Sequence, residues 1–412
     1  MTPLTQRIYN TLFPYYIEVC ALSQLHQKSS KPGGWGGHAT LFLNGAVIEA
    51  GAGYPRLRLA DAGADLSHPD SGVGVSVNRV FANVAWVAIP GRDEFFRGGL
   101  APGQTLNAAA YDAAVERAAE AGWFAGIAIL DAVMRLRPRA MTESEYIVRR
   151  SIGTDFALCF GRTTYSARLP MSATAMAATI GYLNGVNDGA RKSGFVWNAY
   201  TSNCSHIAHN ALAAPGVWDP KEARPPGRIN VAKDVLSIAK AFALGRMSNF
   251  AFPANSFVRL YEAGNERPID DPVAAFHNRD IRRTLSDGWL CTGPGALIAS
   301  QPMHDQARNE LFTRGRDPLL VSVPMLWDKQ EKFHRLTRDA PATVTELGAN
   351  LTEFRDRYAQ TLARERTFDD VPALDEVDEF EIFCDRFLQH IAEEQRRNDE
   401  RIAAYERLVS AG

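Results

Sequence analysis

The chain has 412 residues, which is long for one small hydrophobic core and predicts two domains or one domain with large insertions. Hydrophobic residues make up 46% and charged residues 22%, the proportions of an ordinary globular protein with ample material for a core. The 45 basic and 47 acidic side chains give a net charge of −2, which argues against a general polyanion binder and against a basic membrane-surface protein.

The N-terminal segment and the cysteine spacing favour a cytoplasmic protein. Residues Met1–Gln24 lack the basic start and the uninterrupted apolar stretch of a signal peptide. The sequence contains no run of about 18 apolar residues, so we expect no transmembrane helix. Because the cysteines form neither a CxxC pair nor a zinc-like spacing, we expect free thiols. The reaction expected below needs no metal or organic cofactor. The cysteines are Cys20, Cys159, Cys204, Cys291 and Cys384.

Strands dominate the elements predicted for the first hundred residues. The stretch Tyr9–Gln24 is mostly apolar and is expected to pack on the core, and a Gly/Pro-rich loop follows at Lys28–Gly37. His38–Ala50 (HATLFLNGAVIEA) predicts a β-hairpin, because its Asn-Gly pair is the strongest short turn signal. Two further strands are predicted at Val73–Val77 and Val84–Ile89.

Helices become more frequent after residue 110. Tyr111–Leu136 predicts one long helix with a weak point at Gly122. The Pro-rich segment 214–229 predicts a loop, and with it a boundary between a catalytic domain, residues 1–229, and a mainly helical accessory region, residues 230–412. The other predicted elements are strands Asp155–Phe160 and Thr164–Leu169, helices Ala173–Leu183 and Thr201–Leu212, and amphipathic helices marked by Val344 to Tyr358 and by Phe380 to Leu408.

The segment Tyr200–Leu212 (YTSNCSHIAHNAL) places a cysteine at a predicted helix start. Ser202 and Asn203 are N-cap residues, so Cys204 takes the first helical position. There the thiol faces unpaired backbone N–H groups and the positive end of the helix dipole, and both stabilise the reactive thiolate. Helical periodicity also turns Cys204 toward the core, on the same side as Ile207.

A histidine and a glutamate share one face of the predicted hairpin. With the turn at Asn44-Gly45, Thr40 pairs with Glu49, and alternation puts His38 on the same face as both. A carboxylate beside an imidazole orients the ring and stabilises the imidazolium. Together with Cys204, these residues supply a nucleophile, a base and a group that orients the base.

Each of these residues also has a purely structural interpretation. A cysteine on the buried face of a helix commonly serves as a small hydrophobe. A histidine can cap a Gly-rich loop, and a glutamate is an ordinary exposed strand residue. His206 and His209, three residues apart, could hold a metal, but the sequence places no matched carboxylate beside them.

The two segments resemble the permuted papain-like cysteine enzymes, which include relatives of NlpC-type cell-wall peptidases and the lecithin:retinol acyltransferase-like proteins. In that group a histidine opens a strand in a pattern similar to H-x-G-I-Y-L-G-x-x-x-V-x-H/E, and a cysteine follows in N-C-E-H-F at a helix start. Here the segments read HATLFLNGAVIEA and NCSHIAH. The resemblance implies that Cys204 is the nucleophile, His38 the base and Glu49 the third polar member.

The chain departs from that pattern at three points. Ala39 and Thr40 replace the usual residues after the histidine. The third polar residue is Glu49 rather than the histidine of the acyltransferases, and the interval between His38 and Cys204 is wide. The two motifs cover a small part of the chain, and the C-terminal accessory region resembles no family that we identify.

The expected fold is α+β, with a circularly permuted papain-like core in which an antiparallel sheet packs on the helix headed by Cys204. The expected reaction is acyl transfer through a thioester, as an amidase, hydrolase or N-/O-acyltransferase acting on an acylated small molecule or peptide, without a nucleic acid partner. Candidate oxyanion or substrate contacts are Tyr200, Asn203 and Trp35. The alternatives are a non-catalytic binding protein that keeps the fold, and an effector or toxin of the same fold.

Overall fold

A six-stranded antiparallel sheet forms the centre of the protein. The computed structural model describes residues 3–22, 38–100, 108–151, 164–197, 202–216, 272–277, 294–295, 297–301, 347–364 and 377–411. Its strands are β1 Tyr16–Leu22, β2 His38–Asn44, β3 Ala46–Ile48, β4 Leu57–Leu59, β5 Val73–Val77, β6 Trp86–Pro90, β7 Thr164–Pro170 and β8 Leu297–Gln301. The order across the main sheet is β6-β5-β2-β1-β7-β8, and β3 and β4 form a separate two-stranded ribbon.

Helices cover both faces of this sheet and dominate the C-terminal part, so the expected α+β class is confirmed. The helices are α1 Pro3–Leu12, α2 Arg92–Arg97, α3 Ala108–Glu120, α4 Asp131–Met134, α5 Glu143–Ser151, α6 Ala173–Ser193, α7 Cys204–Ala213, α8 Pro272–His277, α9 Leu347–Ala363 and α10 Val377–Ala411. None of these described helices is both long enough and apolar enough to cross a bilayer.

Helix α7 packs on one face of the main sheet and helix α1 on the other, and the faces are called the α7 face and the α1 face. On the α7 face, Leu41 and Val75 share a buried cluster with Ile207 of α7 and with residues of α6. On the α1 face, Phe42 shares a second buried cluster with Tyr9 of α1 and with residues of α2 and α3. Strand β2 is therefore buried on both faces, which explains why three successive residues, Leu41, Phe42 and Leu43, are apolar.

The predicted hairpin is wrong, although a turn does occur at Gly45. Strand β2 pairs with β1 on one edge and with β5 on the other, whereas β3 pairs with β4. Because both edges of β2 are occupied, the chain leaves the sheet at Gly45, whose φ is 95°. A side chain there would place its Cβ 2.3 Å from the ring of Tyr15, so glycine is required for close packing as well as for the turn.

The long helix predicted for Tyr111–Leu136 is also wrong. Helix α3 ends at Glu120, and the chain turns at Gly122, with φ of 66°, and again at Gly126, with φ of 72°. A Cβ at Gly126 would lie 2.0 Å from the carbonyl oxygen of Gly53. The helix therefore ends beside the predicted weak point, Gly122. The second turn, at Gly126, lies where two loops approach each other.

The C-terminal part contributes to the main sheet as well as to its helical cover. Strand β8 pairs with β7, so the sheet crosses the boundary predicted between residues 229 and 230. Tyr405 and Leu408 of α10 pack against the cluster on the α1 face. Helices α8, α9 and α10 also share a cluster of their own, which contains Phe276, Phe354 and Phe383.

Candidate functional site

Cys204 is the first residue of α7 and is 6% exposed. Asn203 caps this helix: its side-chain Oδ1 accepts a hydrogen bond from the backbone N–H of His206 at 3.2 Å and lies 2.9 Å from Nδ1 of the same histidine. Helix α7 contacts strands β2 and β5 and helix α6. The predicted helix start is therefore confirmed, and Asn203, a candidate substrate contact, acts as the cap.

The opposite side of α7 is buried too. His209 is 9% exposed, and its Nδ1 lies 3.1 Å from Oδ1 of the neighbouring Asn210. The hydroxyl of Thr179 on α6 donates to the carbonyl of Ala211 at 3.1 Å and fastens the two helices together. Within the described part of the chain, no three His, Cys, Asp or Glu side chains come close enough to hold a metal ion.

His38 opens strand β2, as predicted, and contacts a serine of the next strand. Its Nε2 lies 2.9 Å from Oγ of Ser76 on β5, and the His38 side chain is half-buried. Ser76 stands opposite Thr40 in the ladder and is fully buried. The imidazole thus belongs to a polar row on the sheet that sequence patterns did not indicate, because β2 and β5 are not joined by a hairpin.

Strand alternation determines which face this row occupies. Thr40 stands opposite Cys20, which lies in the cluster of the α1 face. Ala39, the residue that follows His38, lies in the same cluster as Cys204 on the α7 face. Alternation therefore places His38 on the α1 face and Cys204 against the α7 face.

Glu49 occupies a different part of the molecule from the one expected. It follows β3 in the separate ribbon, where its Oε2 accepts a hydrogen bond from Nε of Arg56 at 3.0 Å. Arg56 also pairs with Asp188 of α6. The predicted pairing of Thr40 with Glu49 is wrong because β3 leaves the main sheet, and Glu49 does not orient His38.

We expect Glu49→Gln to leave the alkylation rate of Cys204 within about twofold of the wild-type rate, because the lost charge lies in a half-exposed ion pair. The rate is measured with limiting iodoacetamide and peptide mapping. Asp61→Asn, which removes an exposed carboxylate paired with Arg58, is the matched control. A fall of about tenfold or more in the Glu49 variant alone, with unchanged thermal melting, would contradict this placement.

Two candidate substrate contacts and two further cysteines remain. Trp35 and Tyr200 lie outside the described residues. Cys20 is a free thiol with no exposed surface; burial raises its pKa well above the ordinary value, and neighbouring Glu18 raises it further. Cys384 is also a buried thiol, within α10. Of these described thiols, only Cys204 lies at a helix start.

No protein-family model, curated protein or solved structure matches the chain.

Proposed function

We propose that the protein is a cysteine-dependent enzyme that transfers acyl groups through a thioester on Cys204. The observation that carries the proposal is the position of this thiol, at the first residue of a buried helix whose cap, Asn203, is bonded into the first turn. The positive end of the helix dipole favours a thiolate there, and the thiolate is the nucleophilic form of cysteine. The papain-like assignment of the core is part of the same proposal.

The reaction proceeds in two steps. A base removes the proton of Cys204, and the thiolate attacks the carbonyl carbon of an amide, ester or thioester and forms a C–S bond. The bond from that carbon to the leaving group then breaks, and the leaving group takes the proton from the base. Water or an amine next attacks the thioester and gives its proton to the base, and the C–S bond breaks to release the thiolate. The acceptor decides whether the enzyme is a hydrolase or a transferase.

His38 is the general base of this proposal, on the strength of the resemblance in sequence. Helix α7 packs on β2 and β5, the strands that carry His38 and its partner Ser76. The proposal requires the imidazole to leave Ser76 and reach the thiol around the end of β2, of which His38 is the first residue. Glu49 has no part in it, so the catalytic unit is a Cys-His pair.

A second candidate function is a binding protein of the same fold without catalytic activity. The specific observation in its favour is the assignment of His38 and Cys204 to opposite faces of the main sheet. A cysteine without a base behaves as a small hydrophobe of the core, and such a thiol shows no unusual acidity. The reactivity of the thiols distinguishes the two candidates.

We expect Cys204 to be the first thiol alkylated by limiting iodoacetamide at pH 6–7, and Cys20 to be among the last. The helix start favours the thiolate of Cys204, whereas burial and Glu18 oppose that of Cys20. Peptide mapping by mass spectrometry identifies the labelled residue. Cys384, buried within a helix, is the internal control. Preferential labelling of Cys20 or Cys384 would favour the binding protein.

A further inference from the structure

A buried hydroxyl stands beside the candidate nucleophile. Ser202 precedes the cap residue Asn203, two positions before Cys204, and is 3% exposed. Within the described part of the chain, its Oγ has no hydrogen-bond partner. By contrast, the hydroxyl of Ser172, which caps α6, accepts from the N–H of Ala175 at 3.1 Å. A buried hydroxyl without a partner costs stability, and one that lies just before a helix start has a proton to donate to a ligand there.

The location of Ser202 indicates what that use is. The N–H groups of the first turn of α7 point out of this end of the helix, and with the helix dipole they favour negative charge. Asn203 turns its side chain back onto the first turn and bonds His206. Ser202 lies two residues before the start of this helix, and a hydroxyl can donate its proton to an oxyanion.

We infer that Ser202 and the N-terminus of α7 form an oxyanion site for the carbonyl oxygen of the acyl substrate. The inference rests on the proposed function. When the thiolate attacks, the C–S bond forms and the carbonyl π electrons move to oxygen, which then accepts hydrogen bonds from the Ser202 hydroxyl and the backbone N–H of Cys204. When the intermediate collapses, the electrons return to form the carbonyl, the bond to the leaving group breaks, and the leaving group takes the proton that the base removed from Cys204. Ser202 keeps its own proton throughout.

The hydroxyl is therefore expected to serve catalysis at no benefit to folding. Ser202→Ala removes a polar atom that bonds no described residue, so its midpoint of thermal unfolding should equal or exceed that of the wild type. Loss of one oxyanion donor should slow acylation by an activated thioester by about 10²–10³-fold. Ser193→Ala, which removes an exposed hydroxyl bonded within α6, is the matched control and should change neither quantity.

A test that needs no substrate uses two alkylating reagents that differ in charge. Iodoacetate carries a carboxylate that stands in for the oxyanion, and iodoacetamide is its neutral counterpart. The ratio of their rates at Cys204 should be higher in the folded wild type than in the chain unfolded in urea. In folded Ser202→Ala it should fall by about threefold or more, while Ser193→Ala leaves it unchanged.

The outcomes separate this inference from the proposed function. If Cys204 reacts with both reagents and the ratio is the same in wild type and Ser202→Ala, the oxyanion role of Ser202 is overturned and the nucleophile stands. If Cys204 reacts with neither reagent in the folded protein, the proposed function itself fails. A marked fall in the unfolding midpoint of Ser202→Ala would assign the hydroxyl a structural role and overturn the inference as well.

Discussion

Glu18→Gln is expected to destabilise the protein by about 3–5 kcal/mol at neutral pH, because it leaves the buried guanidinium of Arg168 and the partly buried one of Arg92 without their counter-charge. Glu18 lies on β1 with 1% of its surface exposed. Its carboxylate accepts two hydrogen bonds from Arg92, at 2.6 and 3.1 Å, and one from Arg168, at 2.9 Å. Arg168, itself 5% exposed, also donates to Gln6 at 2.9 Å.

The same ion cluster predicts how stability depends on pH. Burial alone would raise the pKa of Glu18, but Arg168 and Arg92 outweigh it and lower the pKa from 4.5 to about 2. A depressed carboxyl pKa contributes stability above the unfolded value, and that contribution is lost as pH falls through the folded value. The wild type should therefore lose stability between about pH 5 and pH 2 by more than Glu18→Gln does.

Urea unfolding at a series of pH values measures both effects. Glu94→Gln, which removes a less buried carboxylate paired with Arg117, is the control and should cost about 1 kcal/mol or less. Equal free energies of unfolding for Glu18→Gln and the wild type at pH 7 would contradict the assignment of Glu18 as the buried counter-charge.

His38→Ala is expected to slow acylation of Cys204 by about 10²–10⁴-fold, the usual effect of removing a general base. The reaction is followed with an activated thioester at saturating concentration. Because the imidazole bonds Ser76 in the structure, Ser76→Ala is the control that separates a catalytic role from a structural one. If His38 acts on the thiol, Ser76→Ala should retain activity within about tenfold of the wild type.

The opposite pattern is equally informative. If His38 only supports the sheet through Ser76, the two variants should be impaired alike and should melt at similarly lowered temperatures. A His38→Ala protein with full acylation activity would remove His38 from the mechanism. Either result would favour the binding protein, in which the main sheet keeps His38 apart from Cys204.

The start of α7 could be predicted because its signals are local. Ser202 and Asn203 precede the helix, apolar residues recur at helical spacing within it, and the structure begins the helix at Cys204. The prediction of a strand at Val73–Val77 is confirmed by β5 for the same reason: valines at alternate positions are bounded by Gly72 and Asn78.

The surroundings of His38 could not be predicted from such signals. An Asn-Gly pair indicates a turn, but it does not determine which strand pairs with β2, and the true partners β1 and β5 are separated from it in sequence. The apolar character of Ala39–Leu43 on both alternations was the available indication that β2 is a central strand. The cross-strand pair of Glu18 with Arg168 depends on the register between β1 and β7, which the sequence does not specify.

Intact-protein mass spectrometry detects the covalent acyl group that Cys204 is proposed to carry. Wild type, His38→Ala and Cys204→Ala are each incubated with an activated thioester donor and then digested to map any adduct. We expect one added acyl group that maps to Cys204, that persists longer in His38→Ala once loaded, and that is missing from Cys204→Ala. An adduct that remains in Cys204→Ala, or no adduct from any donor on a folded wild type whose Cys204 is readily alkylated, would contradict the proposal.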